Sequence, residues 1–272
     1  MVIMTLVVLG PITNDLIVIG NNQSEKIGGA IYYQSFVFEE FFNDYLAIVN
    51  ASDKNFADKF PSPDKVKIIL KEKTHFFINN YPDSSNLNIR KQLSNFANIP
   101  ILNEDLESIL PSKIHAFVLN PLNQFDFPIE TINYLKSFDV PIFISIQGFL
   151  RAPDIKVNEN YTIKLSKFNQ LDDILSGVNA IFLDEYEKNF ISDYSHIDEV
   201  VITNGSCGSR IISNDEIKIK AVFCDNVVDT TGCGDTYMAA YISQRLQNKS
   251  ILYSGNFASK IACKKIRKSG HY

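Results

Sequence analysis

The feature that most limits the fold is a series of short apolar runs rich in β-branched residues. They are "LVVLG" (6–10), "LAIVN" (46–50), "HAFVLN" (115–120), "VPIFISI" (140–146), "AIFL" (180–183) and "EVVITNG" (199–205). Amphipathic stretches at 128–137, 169–176 and 233–247 fall between or after them. Continuously apolar strands that alternate with helices predict a parallel sheet covered on both faces. Such a sheet binds ligands outside the carboxyl ends of its strands. Two regions break the alternation. Residues 15–27 read as a hairpin turning at Gly20-Asn21-Asn22, and residues 74–92 as a second one turning at Pro82-Asp83-Ser84. Pattern alone leaves them either as edge strands of the main sheet or as a small β subdomain projecting from it. "SRIISNDEIKIKAV" (209–222) reads as a further, edge hairpin. There is no internal repeat and no low-complexity linker.

Composition narrows the class. A chain of 272 residues can bury a large core. With 45% hydrophobic and 21% charged residues it is a globular sequence. The net charge of −5 argues against broad binding to nucleic acid or to an anionic membrane. Lys264, Lys265, Arg267 and Lys268 form the one basic cluster, placed where cations complement the dipole of a C-terminal helix. Cys207, Cys224, Cys233 and Cys263 lack C-x-x-C or zinc spacing, so four reduced thiols and a cytoplasmic location are expected. His75, His115, His196 and His271 show no metal spacing. "MVIMTLVVLG" has no basic n-region and breaks at Gly10-Pro11, so it reads as a first strand rather than a signal peptide. No apolar run reaches about 18 residues, so no membrane span is expected.

The stretch "DTTGCGDTYMAAYI" (229–242) carries the chemistry. Glycines directly before a helix leave backbone N–H groups converging on one spot, and the helix dipole adds positive potential there. Asp235 then sits in the first helical turn. Local pattern leaves two readings open. The carboxylate stabilises the helix N-terminus, or it is a general base for a substrate hydroxyl beside amides that hold a transferring phosphoryl group.

Other segments bear on that choice. "GPITND" (10–15) is followed by "IGGAIYY" (27–33), "DEYE" (184–187) by "VVITNGSCGSRI" (200–211), and "DTTGCGD" comes last. In this order and spacing they resemble the motifs of the ribokinase-like (PfkB) carbohydrate kinases. "ISIQGFLR" (144–151) is similar to the D-x-Q-x-x-x-R stretch of the inositol-kinase-like branch, with Ser145 in the Asp position. The resemblance implies a three-layer α/β/α sandwich with a mostly parallel central sheet and a small β lid. It also implies a single domain over 1–272, with the two hairpins as lid.

The resemblance assigns roles by position. Asp235 matches the catalytic base and Gly232, Cys233 and Gly234 the anion hole, with Cys233 in place of the usual Ala. Asp15, Gly28, Gly29, Asn79 and Arg151 match the acceptor side, with Asn80 and Arg90 as further lid candidates. Thr203, Gly205, Gly208 and Asn256 match the ATP site. Glu187 matches an acid that organises Mg²⁺ through water. Asp184 stands where the family has Asn, and Asp229 lies near the monovalent-cation (K⁺) site of many relatives. The implied activity is ATP-dependent phosphorylation of a hydroxyl on a sugar, an inositol-like polyol or a nucleoside. Two alternatives stay open: a catalytically inactive sugar- or nucleotide-binding regulator, and a vitamin-precursor kinase of the hydroxymethylpyrimidine type. The hairpins count against the latter. Exposed strand edges on the lid make a homodimer an expectation.

Overall fold

The computed structural model describes residues 4–82 and 91–272; Arg90 and the turn positions Asp83 and Ser84 lie outside the described residues. The main sheet has nine strands. Numbered in chain order, β5 (Val66–Leu70), β4 (Tyr45–Ala51), β1 (Thr5–Pro11), β8 (Ile114–Leu119), β9 (Ile142–Ser145), β12 (Ala180–Asp184) and β13 (Glu199–Thr203) lie side by side and all parallel. The hairpin β14 (Ser209–Ile212) and β15 (Glu216–Ile219) closes one edge antiparallel.

The period of two along these strands sorts their side chains between two cores. Leu6 and Val8, with Ala47, Val49, Ala116 and Val118, face α1 (Ala30–Phe41), α6 (Cys233–Arg245) and α7 (Ile251–Ile266). Val7 and Leu9, with Ile48, Phe117 and Leu119, face α2 (Asn103–Glu107), α3 (Ile129–Lys136) and α5 (Leu171–Leu175). This is the expected three-layer α/β/α arrangement.

The hairpins are not edge strands of that sheet. They belong to a second, six-stranded sheet in the order β10 (Arg151–Val157), β11 (Asn160–Leu165), β7 (Lys91–Ser94), β6 (His75–Tyr81), β2 (Thr13–Ile19), β3 (Asn22–Gly28). The first hairpin turns on Gly20-Asn21 alone, and Asn22 already pairs with Ile19. The β10–β11 hairpin was not anticipated. Its signal is "RAPDIKVNENYTIKL" (151–165), two alternating runs around Asn158, which takes the left-handed φ of 55°.

One expectation about the cysteines is corrected. Cys224 and Cys263 form a disulfide, leaving Cys207 and Cys233 free. Sequence spacing could not show it, because α7 makes the pairing. Ser259 accepts from Val222 N–H and donates to the Lys220 carbonyl, so it pins residues 220–222 to the helix. Cys263 lies one turn further on the same face. Among the described residues no helix is long and apolar enough to cross a membrane.

The short helix α4 (Gln147–Leu150) links β9 to β10 and packs tightly on the loop after β8. A Cβ at Gly148 would lie 2.3 Å from the carbonyl of Pro121. Gly148→Ala is therefore expected to lower the unfolding free energy by roughly 1–3 kcal/mol. Urea unfolding checks this, and an unchanged midpoint would contradict so close an approach.

Candidate active site

The chain leaves the main sheet for the second sheet at several points on one edge, and the candidate residues collect there. From β1 it passes through Ile12 into β2, placing Thr13 and Asp15 two residues apart on one face. It returns through Gly28 and Gly29 into α1. Gly29 has φ 96°, and a Cβ there would strike the Pro11 carbonyl at 2.6 Å. Gly28 packs directly against β2. A Cβ on it would lie 2.5 Å from Thr13 Oγ1 and 2.6 Å from Asp15 Oδ2, so its bareness makes room for the Asp15 carboxylate. A third crossing runs through α4 into Arg151, the first residue of β10.

These crossings wall a cavity of about 400 Å³. Asp15, Gly29, Asn79, Arg151 and the whole turn 230–235 line it, together with Ser145 and Gln147 from the "ISIQGFLR" stretch. Polar groups on the second sheet are chained: Gln92 Nε2 donates to Asn79 Oδ1 at 2.8 Å, and Asn79 Nδ2 reaches Asp15 Oδ2 at 3.5 Å. Asn79 is 2% exposed, so its orientation is fixed by these partners. Phe77 and Tyr81 also line the cavity, as does Tyr33. The period of two on β6 that singles out Asn79 also points to Phe77 and Tyr81, whereas Asn80 faces outward and is exposed. The fully buried pair His75 and Asp126, 2.9 Å apart, anchors β6 to the loop carrying Leu122, whose N–H donates to Asp126. His75 is structural, as expected.

The glycine turn lies at the opposite wall. Gly232 is the N-cap of α6 with φ 74°, and a Cβ on it would lie 2.4 Å from the Tyr33 ring. No substituent is tolerated there on either count. Cys233 N–H donates to the Thr230 carbonyl at 3.2 Å and closes the turn, while Thr236 N–H takes the Gly232 carbonyl. That leaves Gly234 and Asp235, at the second and third helical positions, with amides that have no acceptor within the helix. A Cβ at Gly234 would meet nothing within 4 Å. Burial pushes the Cys233 thiol up to about 11, consistent with a small filler and not a nucleophile. Burial also raises the Asp235 carboxyl to about 6, against the charges of Arg151 and Lys265, which lower it. Arg151 itself is 9% exposed, and its guanidinium lies 5.6 Å from the Phe77 ring centre.

The remaining candidates fall into three groups. Asp184 and Glu187 cap each other at the end of β12: Asp184 Oδ1 accepts from Glu187 N–H at 2.8 Å, and Glu187 Oε2 accepts from Asp184 N–H at 2.9 Å. An Asn at 184 could accept the same bond, which explains the local equivalence of the two residues. Burial raises the Glu187 carboxyl and the Asp184 charge adds to it, against hydrogen bonds from the Asp184 amide and Gln147. Thr203, paired with Asp184 across β12 and β13, and Gly205 share this edge, but neither they nor Gly208 and Asn256 line the cavity. Gly208 has φ 94° and no room for a Cβ beside the Ile219 carbonyl, and Asn256 Nδ2 donates back to the Leu252 carbonyl of its own helix. Asp229 departs from expectation. Its carboxylate accepts from the amides of Thr231 (2.9 Å) and Gly270 (3.3 Å) and pairs with Lys26 at 3.4 Å and Lys265 at 4.0 Å. It is a hub for ammonium and amide donors and does not fit a metal. Among the described residues no three His, Cys, Asp or Glu side chains gather as a metal cluster.

The model of the pfkB family of carbohydrate kinases matches residues 187–272, which include Glu187, the glycine turn, α6 and α7. The fold is ribokinase-like, and the match to the pfkB model lies in the last third of the sequence. Over 81 residues it is 35% identical to a nucleoside kinase of Methanocaldococcus jannaschii, a match covering 26% of this chain and 27% of that one. The matched part thus spans about a quarter of that relative's length. A pyrophosphate-dependent kinase of the ribokinase family, solved with a pyrophosphate analogue and myo-inositol, superposes with a TM-score of 0.81 over 98% of this chain and 97% of that one, at 18% identity. Arabidopsis thaliana ribokinase with ribose and ATP gives 0.74 over 98% and 94%, also at 18% identity.

The raised carboxyl of Asp235 has a consequence for stability. A carboxyl whose pKa is higher folded than unfolded favours the fold at low pH, and that contribution is lost as pH rises through about 6. Asp235→Asn is therefore expected to stabilise the protein above pH 6, by roughly 1–3 kcal/mol. The gain should disappear toward pH 4. Chemical denaturation of both proteins at pH 8 and pH 4 measures it.

Proposed function

We propose that this protein is a kinase that transfers a phosphoryl group from ATP to a hydroxyl of a sugar, an inositol-like polyol or a nucleoside. The observation that carries the reading is Asp235, which shares one cavity with Asp15 and stands at a helix N-terminus whose first-turn amides are open. Asp15, Asn79 and Gln147 offer acceptors and donors suited to several hydroxyls at once. A hydroxyl held there presents its proton to Asp235, which takes it as the oxygen bonds to the γ-phosphorus of ATP and the bond to the bridging oxygen breaks, releasing ADP. The amides of Gly234 and Asp235 and the dipole of α6 lie where the charge of the transferring group develops. Arg151, between Asp235 and Glu187 in its electrostatic influence, adds a cation to the same wall. The second sheet acts as the lid that keeps water from this reaction.

Mg²⁺ keeps several waters and commonly needs only one or two carboxylates. Glu187 would hold it through water, and the ion would neutralise phosphate charge.

A second reading concerns the donor. Thr203, Gly205, Gly208 and Asn256 stand outside the wall of the cavity, and a similar fold serves a pyrophosphate-dependent kinase. Product formation from a panel of sugars, inositols and nucleosides, with ATP or pyrophosphate as donor, separates the two. ATP is the expected donor; turnover with pyrophosphate alone would replace it.

Asp235→Asn should lower kcat by about 10²–10⁴-fold. Because the base must be ionised, wild-type turnover should fall as pH drops through about 6, and the residual rate of the variant should lack that limb. Equal turnover in the two proteins would remove Asp235 from the mechanism.

A further inference from the structure

Lys264, Arg267 and Lys268 are exposed as a helix-end cluster should be, but Lys265 is completely buried. It points from α7 toward the glycine turn. Its ammonium donates to the main-chain carbonyl of Asp229 at 2.9 Å and lies 5.9 Å from the ring centre of Tyr33. The same Tyr33 ring is what a Cβ at Gly232 would strike. Lys265, Tyr33 and Gly232 therefore form one packed stack beneath the turn.

Asp229 alone does not balance the two ammonium groups beside it. Lys265 faces Asp229, Cys233, Lys26 and Asp235. Lys26 and Lys265 share the single carboxylate of Asp229, so these three groups carry one net positive charge, and Asp235 faces it from the first turn of α6. Burying an ammonium costs several kcal/mol unless its surroundings compensate. Asp229 answers only part of that cost, because Lys26 competes for it. The remaining positive field is directed at the residues that begin α6, Asp235 among them, where it adds to the helix dipole.

We propose that Lys265 is the built-in cation of the phosphoryl site, standing beside Asp229 where a soluble monovalent ion would otherwise be needed. The proposal rests on the kinase reading and deepens it. Lys265 acts as a positioning residue: its charge reaches the transferring group through the glycine turn and not by contact. The protein should accordingly work without K⁺.

The experiment uses the full chain, with the acceptor and donor found in the screen. Tetramethylammonium is the sole monovalent cation, and K⁺ or NH₄⁺ is then added. Wild-type kcat should be the same in all three. In Lys265→Met, which keeps the length and apolar stem of the side chain, kcat should fall about 10–100-fold with acceptor KM unchanged. Added NH₄⁺ or K⁺ should restore part of the loss in the variant alone, a rescue that a merely structural lysine would not show. A wild-type enzyme that requires K⁺ overturns the proposal and leaves the kinase reading intact, and this arm needs no variant to fold. A variant with full kcat, or with only KM altered, overturns it as well. If wild type phosphorylates no acceptor, the kinase reading itself fails, and thermal stabilisation by inorganic pyrophosphate decides the role of Lys265. Stabilisation present in wild type and lost in Lys265→Met supports a built-in cation for a phosphate site; no stabilisation, or equal stabilisation in both, overturns it.

Discussion

Seven parallel strands that bury apolar side chains on both faces leave a polar group nowhere to go except their ends. The rest of the structure follows from that constraint. The chain must cross from the main sheet to the second sheet at the carboxyl edge, and each crossing carries the residue that chemistry can use. Asp15 follows β1, Gly29 precedes α1, Ser145 ends β9 with Gln147 just beyond it, and Arg151 opens β10. The glycine turn closes the same edge from the other side, because α6 packs against α1 on the helical face. A cavity forms where two sheets and a helix N-terminus meet, so its walls are polar although its supports are apolar.

Electrostatics then differentiate the acids at that edge by their surroundings. Asp235 is desolvated and its carboxyl rises to about 6, a value suited to a base. Asp229 is also partly desolvated, yet the amides of Thr231 and Gly270 and the ammonium of Lys265 hold its carboxyl below the usual range. Glu187 is raised by burial and by Asp184, while its hydrogen bond to the Asp184 amide fixes its position. The fold thus gives the three acids different surroundings: Asp235 is desolvated at the cavity, Asp229 is tied to the amides beside the turn, and Glu187 is fixed at the end of β12.

Much of this was legible in the linear chain. The alternation of apolar runs and helices specified the main sheet, since the period of a buried strand and the length of a helix are local properties. The order of the motifs pairs Asp15 with Asp235, and both residues line one cavity. Less legible was the extent of the second sheet. Residues 151–165 alternate weakly, and Pro153 near their start demotes the strand reading, so only pairing with β7 reveals β11 as a strand of that sheet. The Thr203, Gly205, Gly208 and Asn256 set, which the resemblance places at the ATP site, lies outside the cavity wall. A turn with positive φ beside the Ile219 carbonyl requires Gly208 for backbone reasons alone.

The sequence by itself determined which segments are strands, which carry glycine, and where an acid follows a helix start, because each depends on neighbours within a few residues. Tertiary structure decided the long-range partners. Cys224 meets Cys263 only because Ser259 holds the intervening loop on α7. Gly28 is needed because Asp15 folds across it from the next strand. Lys265 looked like one of four cations at a helix end, yet the face it occupies turns inward onto Asp229, 36 residues away. Charge and residue type are written in the chain, but burial and partnership arise only when distant segments pack, and these set the chemistry of the site.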